Sequence, residues 1–206
     1  MSLSQTKLLV FARAPIAGRC KTRLIAKYGK RGAARIHREL VLRTLRTAGA
    51  HGAPCELWCE PSARHAFFLK CRREFGVALK SQPAGDLGRK MALALVRALD
   101  DGSGKVLIVG TDCPALTVAD LQAAAAALDR HDVVLQPAED GGYVLIGARR
   151  FAAGALRNIF WSSGLELAQT RRGLARLGFS VAPLAERWDV DWPADVGRAR
   201  QSGFLV

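Results

Sequence analysis

Short apolar runs alternate along the chain with stretches whose apolar residues recur at helical spacing. "KLLVFA" (7–12) reads as a buried strand, and "RGAARIHRELVLRTLRTAGA" (31–50) as a helix stopped near Gly49. "PCELWCE" (54–60) gives a second strand, and "SARHAFFLKCRREFG" (62–76) a helix with Ser62 as its N-cap and Gly76 as its terminator. "VALKSQ" (77–82) predicts a third strand, followed by a helix capped by Asp86 and running to about Asp100. "KVLIVG" (105–110) is the clearest buried strand. A helix over 117–130 follows, with Thr117 and Asp120 spaced as a capping box. Strands over 132–138 and 143–149, a helix over 164–178, a strand over 179–186 and a helix over 192–203, with Pro193 in its first turn, complete the chain. This alternation predicts an α/β fold with a mostly parallel sheet and helices on both faces, whose ligands lie beyond the carboxyl ends of the strands.

The 206 residues, half of them hydrophobic, suffice for one well-cored unit, and no linker or repeat divides them, so residues 1–206 read as a single domain. Five cysteines, an odd number with no CxxC pair, indicate neither a disulfide framework nor a zinc ribbon. Cys55 and Cys59 fall on one face of a strand, where packing is their role. With no signal-peptide pattern and no membrane-length apolar run, a cytoplasmic setting is expected. The 31 Lys and Arg against 18 Asp and Glu give a net charge of +13, which favours anionic partners. The cations are scattered along helix faces without interleaved aromatics, which argues against a nucleic-acid groove, although a basic nucleic-acid-binding module stays as an alternative.

Candidate chemistry gathers where strands end. "FARAPIAGRCKTRL" (11–24) leaves the first strand through a turn shaped by Pro15 and Gly18 and carries Arg13, Lys21 and Arg23. Such cations suit a polyphosphate, Arg by bidentate contact and Lys as a point charge. The glycine spacing matches neither a P-loop nor G-x-G-x-x-G, and a basic surface loop is an equal reading. "VLIVGTDCPAL" (106–116) puts Asp112 just past the central strand, where a carboxylate can hold a divalent cation that bridges nucleotide phosphates; a turn Asp is the alternative. "WDVDWPADV" (188–196) sets Asp189 and Asp191 on one side of an extended stretch, candidates for further ligands of that cation, with Asp191 also placed to cap the next helix. "AEDGGYVLIG" (138–147) carries Asp140 before Gly141, Gly142 and Tyr143, read either as a hairpin turn or as a substrate-side wall with Asp140 as a base. Asp86 and Arg89 open a helix whose N-terminus could meet an anion or a base edge. The four histidines have no metal spacing and read as structural, and Ser162 and Ser163 have no nearby His, which argues against a serine hydrolase.

Taken in order, "FARAPIAGRCKTRL", "GDLGRKM", "GTDCPAL", "EDGGYVLIG", "IFWSS" and "DVDWPADV" resemble the bacterial glycosyltransferase-like proteins associated with radical-SAM/selenodomain proteins. That group is similar to the wider GT-A superfamily, which includes molybdenum-cofactor nucleotidylyltransferases and phospholactate guanylyltransferase. The resemblance covers nearly the whole chain. It implies a Rossmann-like GT-A fold that uses a nucleotide-activated donor with Mg²⁺ or Mn²⁺ and a small-molecule acceptor. It implies that Arg13, Gly18, Lys21 and Arg23 face donor phosphates, that Asp112 holds the metal with Asp189 and Asp191 on its far side, and that Asp140 to Tyr143 wall the acceptor. The sequence departs from the pattern at Arg13 (often Lys), at Gln136 (Gly), at Trp192 and Ala194 (Thr and Glu), and at Thr111-Asp112, which is not a full D-x-D. The expected activity is glycosyl transfer from a nucleoside-diphosphate sugar, with nucleotidylyl transfer from an NTP to a phosphorylated acceptor as the alternative.

Overall fold

A computed structural model describes residues 6–206. Its strands are β1 (Thr6–Arg13), β2 (Cys55–Glu60), β3 (Ala78–Ser81), β4 (Lys105–Val109), β5 (Val133–Pro137), β6 (Tyr143–Ala148) and β7 (Val181–Pro183). Its helices are α1 (Ile25–His51), α2 (Ala66–Phe75), α3 (Leu87–Asp100), α4 (Val118–Ala127), α5 (Glu166–Arg176) and α6 (Pro193–Gln201). The strands form one sheet in the order β3-β2-β1-β4-β6-β5-β7. Only β6 runs antiparallel to its neighbours, pairing with β4 on one side and β5 on the other.

The strands read as unbroken apolar runs because both sheet faces are covered. Alternate residues of β1 go opposite ways: Leu8, Val10 and Ala12 join the core under α1, α2 and α4, whereas Leu9 and Phe11 pack with Met91, Ala94 and Leu95 of α3. A third cluster, of Leu24, Ile36, Leu40, Trp188, Val190 and Val196, fixes the chain before α6 against α1. Each fully buried side chain of this size contributes about 1.5–3 kcal/mol, so the ends of β1 and β4 rest on a stiff base.

The mostly parallel sheet with helices on both faces is as expected, and three local readings are corrected. α1 begins at Ile25, six residues before the expected start, and bends at Gly29 (φ 68°, ψ 167°); it ends at His51 on a left-handed Gly52 rather than at Gly49. α2 starts at Ala66 with His65 as its cap, whose Nδ1 accepts from Phe67 N at 3.2 Å. Ser62 instead closes the turn that precedes the helix, its Oγ accepting from Arg64 N. The last strand shrinks to Val181–Pro183 because the chain then leaves the sheet edge. The caps at Asp86 and Thr117 form as read: Asp86 Oδ1 accepts from Arg89 N at 2.8 Å, and Thr117 and Asp120 cap each other.

Candidate functional site

In a sheet of this order the chain turns opposite ways from β1 and β4, leaving a crevice beyond their carboxyl ends. A cleft of about 760 Å³ lies there. Its floor is the loop after β1, with Arg13, Cys20, Lys21 and Arg23, and the Gly110–Thr111–Asp112 turn after β4. One wall comes from Gln82 to Leu87 at the start of α3, the other from Trp161 and Ser162, and Asp191 closes the base.

Lys21 is the centre of the arrangement. Its Nζ lies 3.0 Å from Asp112 Oδ1 and 3.0 Å from Asp191 Oδ1, and only 6% of its side chain is exposed. Burial opposes its charge, but Asp112 and then Asp191 outweigh burial and raise its pKa. Arg23 Nη1 donates to Asp191 Oδ2 at 2.6 Å, with its guanidinium carbon 5.0 Å from the centre of the Trp192 ring. Asp112 has Oδ1 fully covered, although 44% of its side chain is open, so its other oxygen faces the crevice. Burial works against the Asp112 charge as well; Lys21 and then His37 more than offset it and hold the carboxyl below its ordinary value.

Asp189 behaves differently. Burial, together with the neighbouring Asp112 and, more weakly, Asp140 and Asp191, pushes its carboxyl up to about 8, with Lys21 only partly opposing. The three acids expected at a cation are therefore brought to one region, together with the cations Lys21 and Arg23. Among the described residues, no three His, Cys, Asp or Glu side chains converge closely enough to cage an ion.

Several expected residues sit elsewhere. Gly18 (φ 82°) does not line the cleft; it faces the stem of Lys30, and a Cβ there would lie 3.5 Å from Lys30 Cδ. Arg89 folds back over Gly85, and Lys90, 3.2 Å from Glu60, lines the cleft in its place. Asp86 does line the cleft while capping α3. Asp140, Gly141 and Gly142 form the β5–β6 hairpin turn, with Asp140 Oδ1 accepting from Gly142 N at 2.9 Å. Tyr143 is not an exposed wall: its hydroxyl is buried and its ring stands edge-on to Trp161 at 6.3 Å, supporting that wall from behind.

His37, read as structural, lines the cleft. Its Nε2 lies 3.1 Å from the Arg13 carbonyl oxygen, which places the proton there, and its Nδ1 is 3.8 Å from Asp112 Oδ1. Burial lowers its pKa, only partly countered by Asp112. The available signal was its place in the apolar stripe of Ala33, Ile36 and Leu40, on the face of α1 that turns inward. Trp161 was quoted only as part of a motif and Ser162 was weighed only as a hydrolase nucleophile; they enter the site because Gly88 lets the Trp161 ring approach α3, where any Cβ would come within 2.9 Å of Trp161 Cζ2.

No helix among the described residues is long and apolar enough to cross a membrane. A solved protein from Desulfovibrio desulfuricans G20, described as a nucleotide-diphospho-sugar transferase, is similar over 92% of this chain and 84% of its own, with 28% identity and a TM-score of 0.84. A nucleotidyl transferase from Methanothermobacter thermautotrophicus shares the fold over 96% and 97% of the two chains at 16% identity and a TM-score of 0.64. Rv0371C from Mycobacterium tuberculosis H37Rv, solved with manganese, does so over 96% and 99% at 19% identity and a TM-score of 0.53. No curated protein matches. The family model of an uncharacterized protein conserved in bacteria, DUF2064, matches residues 43–163, from the middle of α1 through the Asp112 turn and the β5–β6 hairpin to Ser163. More than half of the sequence being matched, the chain belongs to the DUF2064 family.

Proposed function

We propose that the protein is a nucleotide-dependent transferase that moves a glycosyl group from a nucleoside-diphosphate sugar to a small acceptor. The observation that carries this reading is the meeting of Lys21 and Arg23, from the loop after β1, with Asp112 and Asp191 in the crevice at the ends of β1 and β4. Paired cations and acids in one open cleft suit a diphosphate held with a divalent metal. The protein from D. desulfuricans, at 28% identity over 92% of this chain, supports the same assignment.

The residues fit Mg²⁺ or Mn²⁺ by their donor chemistry: Asp112, Asp189 and Asp191 all supply hard carboxylate oxygens. Asp112, Asp189 and Asp191 would hold the ion once drawn closer together than they stand here. When bound, it would screen the charge on the donor phosphates. Lys21, Arg23 and Arg13 orient the diphosphate and stabilise charge on the leaving nucleotide; one such contact is worth about 2.7–4 kcal/mol of barrier. Asp140, at the hairpin tip with one oxygen held by Gly142 N, orients or deprotonates the acceptor hydroxyl. Trp161, backed by Tyr143, bounds the acceptor side.

A cleft floor with three cations in Arg13, Lys21 and Arg23 suits a triphosphate as well, which favours nucleotidylyl transfer as the second reading. A product assay separates them. Incubation with nucleotide sugars or NTPs and Mn²⁺ should release free nucleoside diphosphate; pyrophosphate would support the second reading. Release of neither, or undiminished turnover by Asp112→Ala, overturns the assignment.

A further inference from the structure

Lys21 occupies an unusual position for a phosphate-binding residue. Its side chain is only 6% exposed, and its ammonium lies 3.0 Å from an oxygen of each of two acids, Asp112 and Asp191, that are assigned to the cation. The Asp112 oxygen it meets is wholly covered. The Asp191 carboxylate is filled from its other side by Arg23 at 2.6 Å. A divalent ion at these carboxylates would stand a few ångströms from the Lys21 ammonium, and two cations that close repel strongly where water is excluded. The backbone adds a second observation. Lys21 has φ 46° and ψ 49°, left-handed values that a residue with a Cβ adopts at a cost, directly before the 3-10 turn Thr22–Leu24. The ion pairs with Asp112 and Asp191 hold it there, and a competing partner for the ammonium would release both the side chain and the strain.

We infer that Lys21 is an internal counter-ion that bars divalent metal from the acidic centre until donor phosphates draw its ammonium away, so that metal and nucleotide enter together. The inference rests on the proposed metal-dependent reading. Phosphate oxygens offer Lys21 an equivalent anionic partner on the cleft floor, where it is flanked by Arg13 and Arg23. Once Lys21 turns to them, Asp112 and Asp191 recover the oxygens a cation needs. The coupling is reciprocal: nucleotide strengthens metal binding by the same factor as metal strengthens nucleotide binding. The arrangement also keeps the acids from binding free metal unproductively.

The test is Mn²⁺ binding to the full chain without nucleotide, read as loss of the free-ion EPR signal. Lys21→Met removes the charge and keeps the stem; Lys21→Asn removes it with a residue that tolerates the left-handed backbone. Both should bind Mn²⁺ at least about tenfold more tightly than wild type, and Asp112→Asn placed in the Lys21→Met background should abolish the gain. Equal or weaker binding by both variants, with binding still lost on Asp112→Asn, overturns the counter-ion role while leaving the metal centre in place. Mn²⁺ binding indifferent to Asp112 in every background overturns the metal assignment and this inference with it.

Discussion

The guanidinium of Arg187 closes on Asp120, with Nη2 2.6 Å from Oδ1 and Nε 3.2 Å from Oδ2. Asp120 also caps α4 with Thr117 and accepts at 3.0 Å from the fully buried Gln136. One carboxylate therefore ties α4, β5 and the chain just before Asp189 together. Asp120→Ala leaves the Arg187 guanidinium without its carboxylate and Gln136 with only the Ala185 carbonyl, and should cost about 3 kcal/mol, lowering the melting temperature by roughly 6–12 °C. A calorimetric scan checks this, and a shift within error would refute it. Burial opposes the Asp120 charge, but Arg187 and then Thr117 hold its carboxyl below the ordinary value. This contribution is complete above the normal carboxylate range and lost as pH falls through the lowered folded value. The gap between wild type and Asp120→Ala should accordingly narrow in acid.

Asp189 has the opposite sign. Burial beside Asp112 raises its carboxyl to about 8, so between the ordinary value and about 8 the folded chain binds a proton that the unfolded chain has released. Stability then falls as pH rises through that window, and the penalty is complete above it. Asp189→Asn should raise the melting temperature at pH 8.5 by several degrees and change it little at pH 5, while lowering turnover at both. Melting curves with equal shifts at the two pH values would reject the assigned cause.

The strand and helix periods made the sheet legible, because both of its faces are covered and its runs are uniformly apolar. The order of strands was not, since β6 inserts between β4 and β5 through long-range pairing that no local pattern encodes. At the site, Lys21, Arg23, Asp112, Asp189 and Asp191 were legible as charges at strand ends, an arrangement that open α/β sheets use for ligands. His37 was not, because a histidine within an apolar helical stripe has the same pattern whether it packs or serves the site. Trp161 was not either, because its place depends on the close approach of residues 156–161 to Gly88. Gly18 and Arg89 were misplaced for a simpler reason: sequence gives a residue's element but not the direction in which a flexible neighbour such as Lys30 lies.

The hairpin that presents Asp140 depends on Gly141. Its φ is 86°, a Cβ there would collide with the Gly164 carbonyl oxygen, and Leu167 N donates to the Gly141 carbonyl at 3.1 Å. Gly141→Ala combines backbone strain with a clash against main chain that cannot yield locally, and should cost about 2–4 kcal/mol. Gly154→Ala, where a Cβ would meet nothing within 4 Å, should be near neutral. Denaturant titration of the two variants side by side tests this, and similar midpoints would refute the docking of the hairpin on residue 164.

Trp192 directly follows Asp191, and the structure gives it a task. It is 56% exposed, its amide donates to Asp195 Oδ2 at 2.6 Å, and its ring lies 5.0 Å from the guanidinium carbon of Arg23. Arg23 is thus held between an aromatic face and the Asp191 carboxylate, which orients its remaining donors toward the cleft. An exposed cation–π contact of this kind is worth about 0.5–1 kcal/mol. Trp192→Ala should therefore raise the KM for the nucleotide donor by about two- to fivefold with little change in kcat or stability. Trp192→Phe keeps a π face and should recover most of the loss, whereas Trp192→Leu, apolar without one, should not. Steady-state kinetics on the three variants decide the point: equal KM values for Phe and Leu would reduce Trp192 to surface packing and leave Arg23 oriented by Asp191 alone.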